Sequence, residues 1–213
     1  MKKQSIWVLT LFLVSAPALV FGIVDWCRES FEKLPLLGGY DRDEKGIPVR
    51  HVISGFDFEN QDGQTLSSRN LGNKVLVANF FFTSCAGICP IMMRQEKEVQ
   101  QYYNHDSDVL FISFTVDPVR DNVARLKWYA NQYGLNGRNW ELVTGDKKEI
   151  YKMARKSFYL SANEGDGGDN DFIHSEQIVL VDKTRHIRGY YDGTDRSAIK
   201  KLKLDIKKLE YEK

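Results

Sequence analysis

Residues 75–90 read VLVANFFFTSCAGICP, and they decide the architecture. Val75 to Phe82 is a continuous run of strand length, apolar at every position but Asn79. A strand with one wet face alternates apolar and polar residues. A near-continuous run instead predicts a strand covered on both faces, as in a parallel sheet between helices. Thr83 to Cys89 reads as a turn. Pro90 suits the first position of a helix, where its missing N–H has no partner to lose. That helix is expected to run to about Asn104. The segment thus brings Cys85 and Cys89 to the carboxyl end of a buried strand, where α/β sheets bind their ligands.

Outward from this segment the pattern repeats. Val109 to Val116 (VLFISFTV) predicts a second buried strand. Asp117-Pro118 reads as a helix start, with Asp as cap and Pro in the first turn. Val119, Val123, Leu126, Ala130 and Tyr133 then fall on one helical face, closed by Gly134. A short strand follows. Asp146 to Phe158 reads as an amphipathic helix, and the acidic, glycine-rich Ser161 to Asp171 as a loop. Ile178–Val181 and His186–Tyr191 pair as strands around Asp182-Lys183-Thr184. Thr194 or Asp195 caps a last helix that reaches nearly to Lys213. On the N-terminal side, Phe56-Asp57-Phe58 and Gln64-Thr65-Leu66 flank the hairpin signal Gln61-Asp62-Gly63. There are no internal repeats. The order is hairpin, β, α, β, α, short β, α, β, β, α. It predicts an α/β fold of thioredoxin-like order: a mixed central sheet flanked by helices, with an N-terminal hairpin.

The chain ahead of this domain is of another kind. Lys2 and Lys3 precede a stretch from Ile6 to Val24 without a charged residue, within the length of one membrane helix. The alternative is a cleaved signal peptide, since Ala16-Pro17-Ala18 resembles a cleavage site. The retained anchor is favoured because the apolar run continues past Ala18. Basic residues ahead of the span place the domain outside the cytoplasm, on the periplasmic side of the inner membrane in a Gram-negative cell. The expected division is an anchor over 1–24, a linker over 25–49 broken by Pro35, Gly38, Gly39 and Pro48, and a domain over 50–213. A net charge of +1 on 213 residues, with no basic stripe, argues against nucleic acid as a partner.

Three cysteines are too few for a disulfide scaffold. Cys27 lacks the small residue expected before a lipid-modified cysteine and reads as incidental. Cys85 and Cys89 are the pair that carries chemistry. If the segment is helical, residues four apart share a face, and both sulfurs can reach one ion or close a disulfide. A helix N-terminus favours thiolate, which both chemistries require. Three residues separate the pair, where redox thioredoxins have two. Thiolates are soft ligands that select Cu(I), Zn or iron–sulfur. A structural zinc site usually draws on a second cysteine pair, and none exists. Two thiolates and a histidine suit copper, as Cu(I) or Cu(II). Of the four histidines, His51 falls in the expected linker, His105 at a helix end and His186 after a turn. His174 stands between the acidic loop and a strand, the junction that faces the cysteine turn in thioredoxin-like folds.

NFFFTSCAGICP (79–90), SFTVDPVRD (113–121), DFIHS (171–175) and LVDKTRHIRGYYDGTD (180–195) resemble the Sco/SenC family over roughly residues 50 to 212. The family comprises copper proteins that assist assembly of the copper A centre of cytochrome c oxidase. The resemblance implies Cys85, Cys89 and His174 as the metal ligands, with Asp117 near the site as a tuning group or a helix cap. Two departures stand out. Many relatives have Pro-Asp where this chain has Ala86-Gly87, and many have an acidic residue where it has Ile173. The function so implied is a membrane-tethered metallochaperone rather than an enzyme. Its partners would be the copper-bearing oxidase subunit, other copper chaperones and thioredoxin-like reductants. The alternative uses Cys85 and Cys89 as a catalytic thiol–disulfide reductase that keeps oxidase cysteines reduced. A peroxidase on the same fold is a third reading. No proline stands beside the last strand pair in the position expected of an ordinary thioredoxin.

Overall fold

The computed structural model describes residues 17, 19–21, 33–135, 139–160 and 175–212. The anchor over 1–24 and the loop Ser161 to Asp171 lie mostly or wholly outside the described residues. Among the described residues no helix is long and apolar enough to cross a membrane.

The strands are β1 (Tyr40–Arg42), β2 (Pro48–Arg50), β3 (Asp57–Asn60), β4 (Thr65–Ser67), β5 (Val75–Phe81), β6 (Val109–Thr115), β7 (Trp140–Thr144), β8 (Gln177–Val181) and β9 (Ile187–Asp192). The helices are α1 (Cys89–Tyr102), α2 (Val123–Tyr133), α3 (Lys147–Lys152), which runs on as a π-helical turn over Met153–Ser157, and α4 (Arg196–Tyr211). A seven-stranded sheet has the order β4-β3-β7-β6-β5-β8-β9. Its centre, β7-β6-β5, is parallel, and the pairs toward either edge are antiparallel. This is the thioredoxin-like mixed sheet that the element order predicts.

Every residue of β5 and β6 is buried, as their near-continuous apolar runs require, the polar Asn79, Ser113 and Thr115 included. Val75, Val77 and Phe81 face one core with Met92, Met93 and Val99 of α1, Leu126 of α2, and Leu202 and Ile206 of α4. Leu76, Ala78 and Phe80 face the other, with Phe114, Ile150 and Phe158. The period of two along β5 therefore divides its side chains between two helical layers. The hairpin forms as expected, with Gly63 at φ +73° and its N–H bonded to the Asn60 carbonyl. Asp195 caps α4 by accepting from the N–H groups of Ser197 and Ala198.

Two expectations change. The helix after β6 does not begin at Asp117. Residues 117–120 form a turn, with the N–H groups of Arg120 and Asp121 both bonded to the Asp117 carbonyl. Val119 is 85% exposed, off the apolar face assigned to it. α2 begins at Val123, where the Asn122 side chain accepts from the Arg125 N–H. The physical reason is Asp121, which is turned into the interior and interrupts the helical path. The second change concerns the folded unit, which begins at Leu34 rather than at residue 50. Leu34 is buried, Leu37 bonds to Ile187 on β9, and β1 pairs with β2. Arg188 locks the segment by donating to the carbonyls of Leu34 and Pro35 while pairing with Asp182 and Glu212.

Candidate metal centre

The first residue of α1 is Cys89, and residues 82–88 belong to neither strand nor helix. The two cysteines therefore do not share a helical face. Cys89 is fixed on the helix, in the core with Met92 and Met93. Cys85 lies on the preceding segment, its N–H bonded to the Phe82 carbonyl at 3.2 Å. Pro90 occupies the first turn of α1, and no side chain caps that end. The Ile91 and Met92 N–H groups bond to the Ile88 carbonyl, which leaves the N–H groups of Gly87, Ile88 and Cys89 to face an anion.

Cys85 occupies that position. Both thiols are free; Cys89 is buried and Cys85 half-buried. Burial opposes ionisation of Cys85. The N–H of Cys89, the Cys89 thiol and the N–H groups of Gly87 and Ile88 outweigh it and hold the Cys85 thiol below its ordinary value. Burial pushes the Cys89 thiol up to about 12, and donation to the neighbouring Cys85 sulfur acts in the same direction. The pair is thus unequal: a thiolate-prone sulfur on the outer segment and a proton-holding sulfur beneath it. Tyr129 of α2 lies close enough for both sulfurs to oppose its ionisation, after burial and Tyr133.

His174 and Cys27 lie outside the described residues. Among the described residues no group of three or more His, Cys, Asp or Glu side chains is placed to hold a metal. His51 is buried, with Nε2 facing the Ser157 carbonyl at 2.8 Å and Nδ1 facing Asp41 and the Tyr159 hydroxyl at 2.8 and 3.0 Å. It is a structural tie between β1 and the end of the π-helical turn. His186 bonds to the Thr184 hydroxyl within its own turn. The Asp117 carboxylate pairs with the exposed Arg120. Sequence reasoning missed Asp121, whose buried carboxylate bonds to Thr83, two residues before Cys85. The available signal was the pair of threonines at the ends of two parallel strands, Thr115 as the last residue of β6 and Thr83 two residues beyond β5. Their hydroxyls need a common acceptor once buried.

The family model described as SCO1/SenC matches residues 45–209. Three solved structures share the fold. A SCO1/SenC family lipoprotein from Bacillus anthracis str. Ames is 30% identical, with a TM-score of 0.66 over 75% of this chain and 95% of its own. BsSco, described as a member of the Sco family of cytochrome c oxidase assembly proteins with a disulfide switch, is 29% identical. Its TM-score is 0.67 over 85% of this chain and 100% of its own. ScoI of Bradyrhizobium japonicum, solved with copper bound, is 24% identical, with a TM-score of 0.60 over 74% of this chain and 99% of its own; at that identity it speaks for the fold alone.

Proposed function

Because the chain belongs to the SCO1/SenC family, we propose that it is a copper-binding protein of cytochrome c oxidase assembly, holding one copper ion as cargo with Cys85, Cys89 and His174. The observation that carries the reading is the adjacent, reduced Cys85–Cys89 pair, with the Cys85 sulfur set among amides at the start of α1. A soft sulfur donor, ionised or easily ionised, is what Cu(I) takes. An imidazole would complete a three-coordinate site. The copper-bearing oxidase subunit is the recipient, and the chain acts outside the cytoplasm from a tether formed by residues 1–24. A relative described as a lipoprotein supports attachment to a membrane, though by a lipid rather than by such a segment.

The unequal thiols favour a second reading, a dithiol reductase. The Cys85 thiolate would attack a disulfide in the partner to form a mixed disulfide. Cys89 would then attack Cys85, losing its proton, and release the partner's second thiol. Two electrons pass to the partner, and the Cys85–Cys89 disulfide remains. His174 separates the two readings, since thiol exchange does not need an imidazole.

The test is copper content of the full-length, reduced protein in detergent, followed by oxidase copper loading in cells. One copper per chain, lost in Cys85→Ser and weakened in His174→Ala, is the expected result. Full occupancy in a double Cys→Ser variant would sink the site. Normal oxidase loading in His174→Ala with loss in Cys85→Ser would replace the chaperone with the reductase.

A further inference from the structure

Cys89 is held by its helix, whereas the position of Cys85 depends on what holds residues 82–88. Asp121 does so. It is completely buried. Its Oδ2 accepts from the Thr83 N–H at 2.9 Å and from the Thr115 hydroxyl at 2.6 Å, and its Oδ1 accepts from the Thr83 hydroxyl at 2.5 Å. The Thr115 hydroxyl accepts in turn from the Asp117 N–H at 3.0 Å, and the Thr83 hydroxyl from Arg125 Nε at 2.9 Å. One carboxylate therefore joins the chain leaving β5, the end of β6, the turn that follows and the first turn of α2. No described cation pairs with it directly, so hydrogen bonds offset its desolvation. Bonds to a charged acceptor are stronger than bonds between neutral groups, and they are directional. Two of the three end on Thr83, fixing both its place and its orientation.

We propose that Asp121 is the positioning residue of the cysteine pair: through Thr83 it sets the segment that carries the Cys85 sulfur, and so the preformed approach of Cys85 to Cys89. The proposal rests on the reading of that pair as the working site. Asp117, four residues earlier, lacks this role, because its carboxylate faces the exposed Arg120.

The experiment measures how readily the two thiols meet. Full-length protein in detergent is equilibrated with reduced and oxidised glutathione, then quenched by alkylation and weighed. Closing the disulfide removes two electrons and two protons from Cys85 and Cys89, and glutathione disulfide takes them up as two thiols. The ratio of closed to open forms gives the effective concentration of one thiol at the other. Asp121→Ala should lower it by about tenfold or more, since a shift near 1 Å in a reacting group has effects of that order. Asp121→Asn should keep it within about threefold. Its amide oxygen can accept from the Thr83 N–H and the Thr115 hydroxyl, and its amide nitrogen can donate to the Thr83 hydroxyl, which accepts instead of donating. Arg188→Ala, which destabilises the fold far from the pair, should leave the ratio unchanged and so separates positioning from general loosening. If Asp121→Ala fails to fold, Thr83→Ala takes its place. It loses the hydroxyl bonds and keeps the N–H bond, and must lower the ratio at least threefold. An unchanged ratio in folded Asp121→Ala, or in Thr83→Ala, overturns the proposal, as does Asp121→Asn falling as far as the alanine variant. Copper is absent from this measurement. A chain that binds no copper yet shows these ratios would refute the proposed function and leave the positioning role standing.

Discussion

Glu96 on α1 offers a quantitative test of the core. It is completely buried, and its Oε2 accepts a hydrogen bond from Asn79 Nδ2 on β5. Glu96 Oε1 and Asn79 Oδ1 are both left without a partner among the described residues. A proton on Oε1 pairs those two atoms and closes a two-bond ring between acid and amide. Burial, only partly offset by the Asn79 bond, pushes the carboxyl from 4.5 up to about 8. The folded state thus holds the proton more tightly than the unfolded chain does. The stabilisation is complete below pH 4.5 and is lost as pH rises toward about 8. One pH unit is worth about 1.4 kcal/mol for one proton, so the loss between pH 4.5 and 7 is on the order of 3 kcal/mol. Glu96→Gln keeps the ring, with Nε2 donating to Asn79 Oδ1, and removes the titration. Urea unfolding of both proteins from pH 5 to 8 should give nearly equal stabilities at pH 5. The variant should lead by about 2–3 kcal/mol at pH 7. Parallel pH profiles, or a variant less stable at pH 7, would refute a neutral Glu96.

The other predictions concern the thiols and the N-terminal segment. Iodoacetamide at pH 7 should label Cys85 at least about tenfold faster than Cys89, read by peptide mass spectrometry, because thiolate is the reactive form; preferential labelling of Cys89 would invert the assignment. Arg188→Ala leaves Asp182 buried without its cation and should destabilise by about 3–5 kcal/mol, with faster amide exchange at Leu37. Deleting residues 1–33 should leave the urea midpoint of the folded unit unchanged, whereas deleting 1–49 removes Leu34, Leu37 and β1 and should lower it; equal midpoints would show that residues 34–49 add no stability.

The sheet was legible because burial on both faces leaves a trace, the near-continuous apolar runs of β5 and β6. A cap was legible where the side chain acts within its own turn, as at Asp195. Contacts made across the chain were not. Asp117-Pro118 has the composition of a helix start, yet a carboxylate four residues later bonds to Thr83, far away in sequence, and the helix waits until Val123. His51 sits in a stretch of turn-forming residues, and its partner carbonyl at Ser157 leaves no periodic signal. The spacing of Cys85 and Cys89 has the same character. Four residues apart suggests one helical face, but only the second cysteine is helical, and the hydrogen bonds of Thr83 decide where the first one stands.

That difference in support has a chemical consequence. Two sulfurs on one helical face would have similar surroundings and similar affinity for a proton. With one on a buried helix and the other on a segment facing the helix amides, the fold separates them: Cys89 keeps its proton and Cys85 gives its proton up more readily. An incoming soft ion or disulfide then meets Cys85 first, as the accessible and more anionic atom. Cys89 engages only after losing its proton, and each later step, whether closing on metal or closing on Cys85, draws on the same buried thiol. On the function and the positioning role proposed above, metal capture and disulfide exchange would share one order of events, and would diverge only at the third group brought to the pair, an imidazole for copper or the partner's disulfide for exchange.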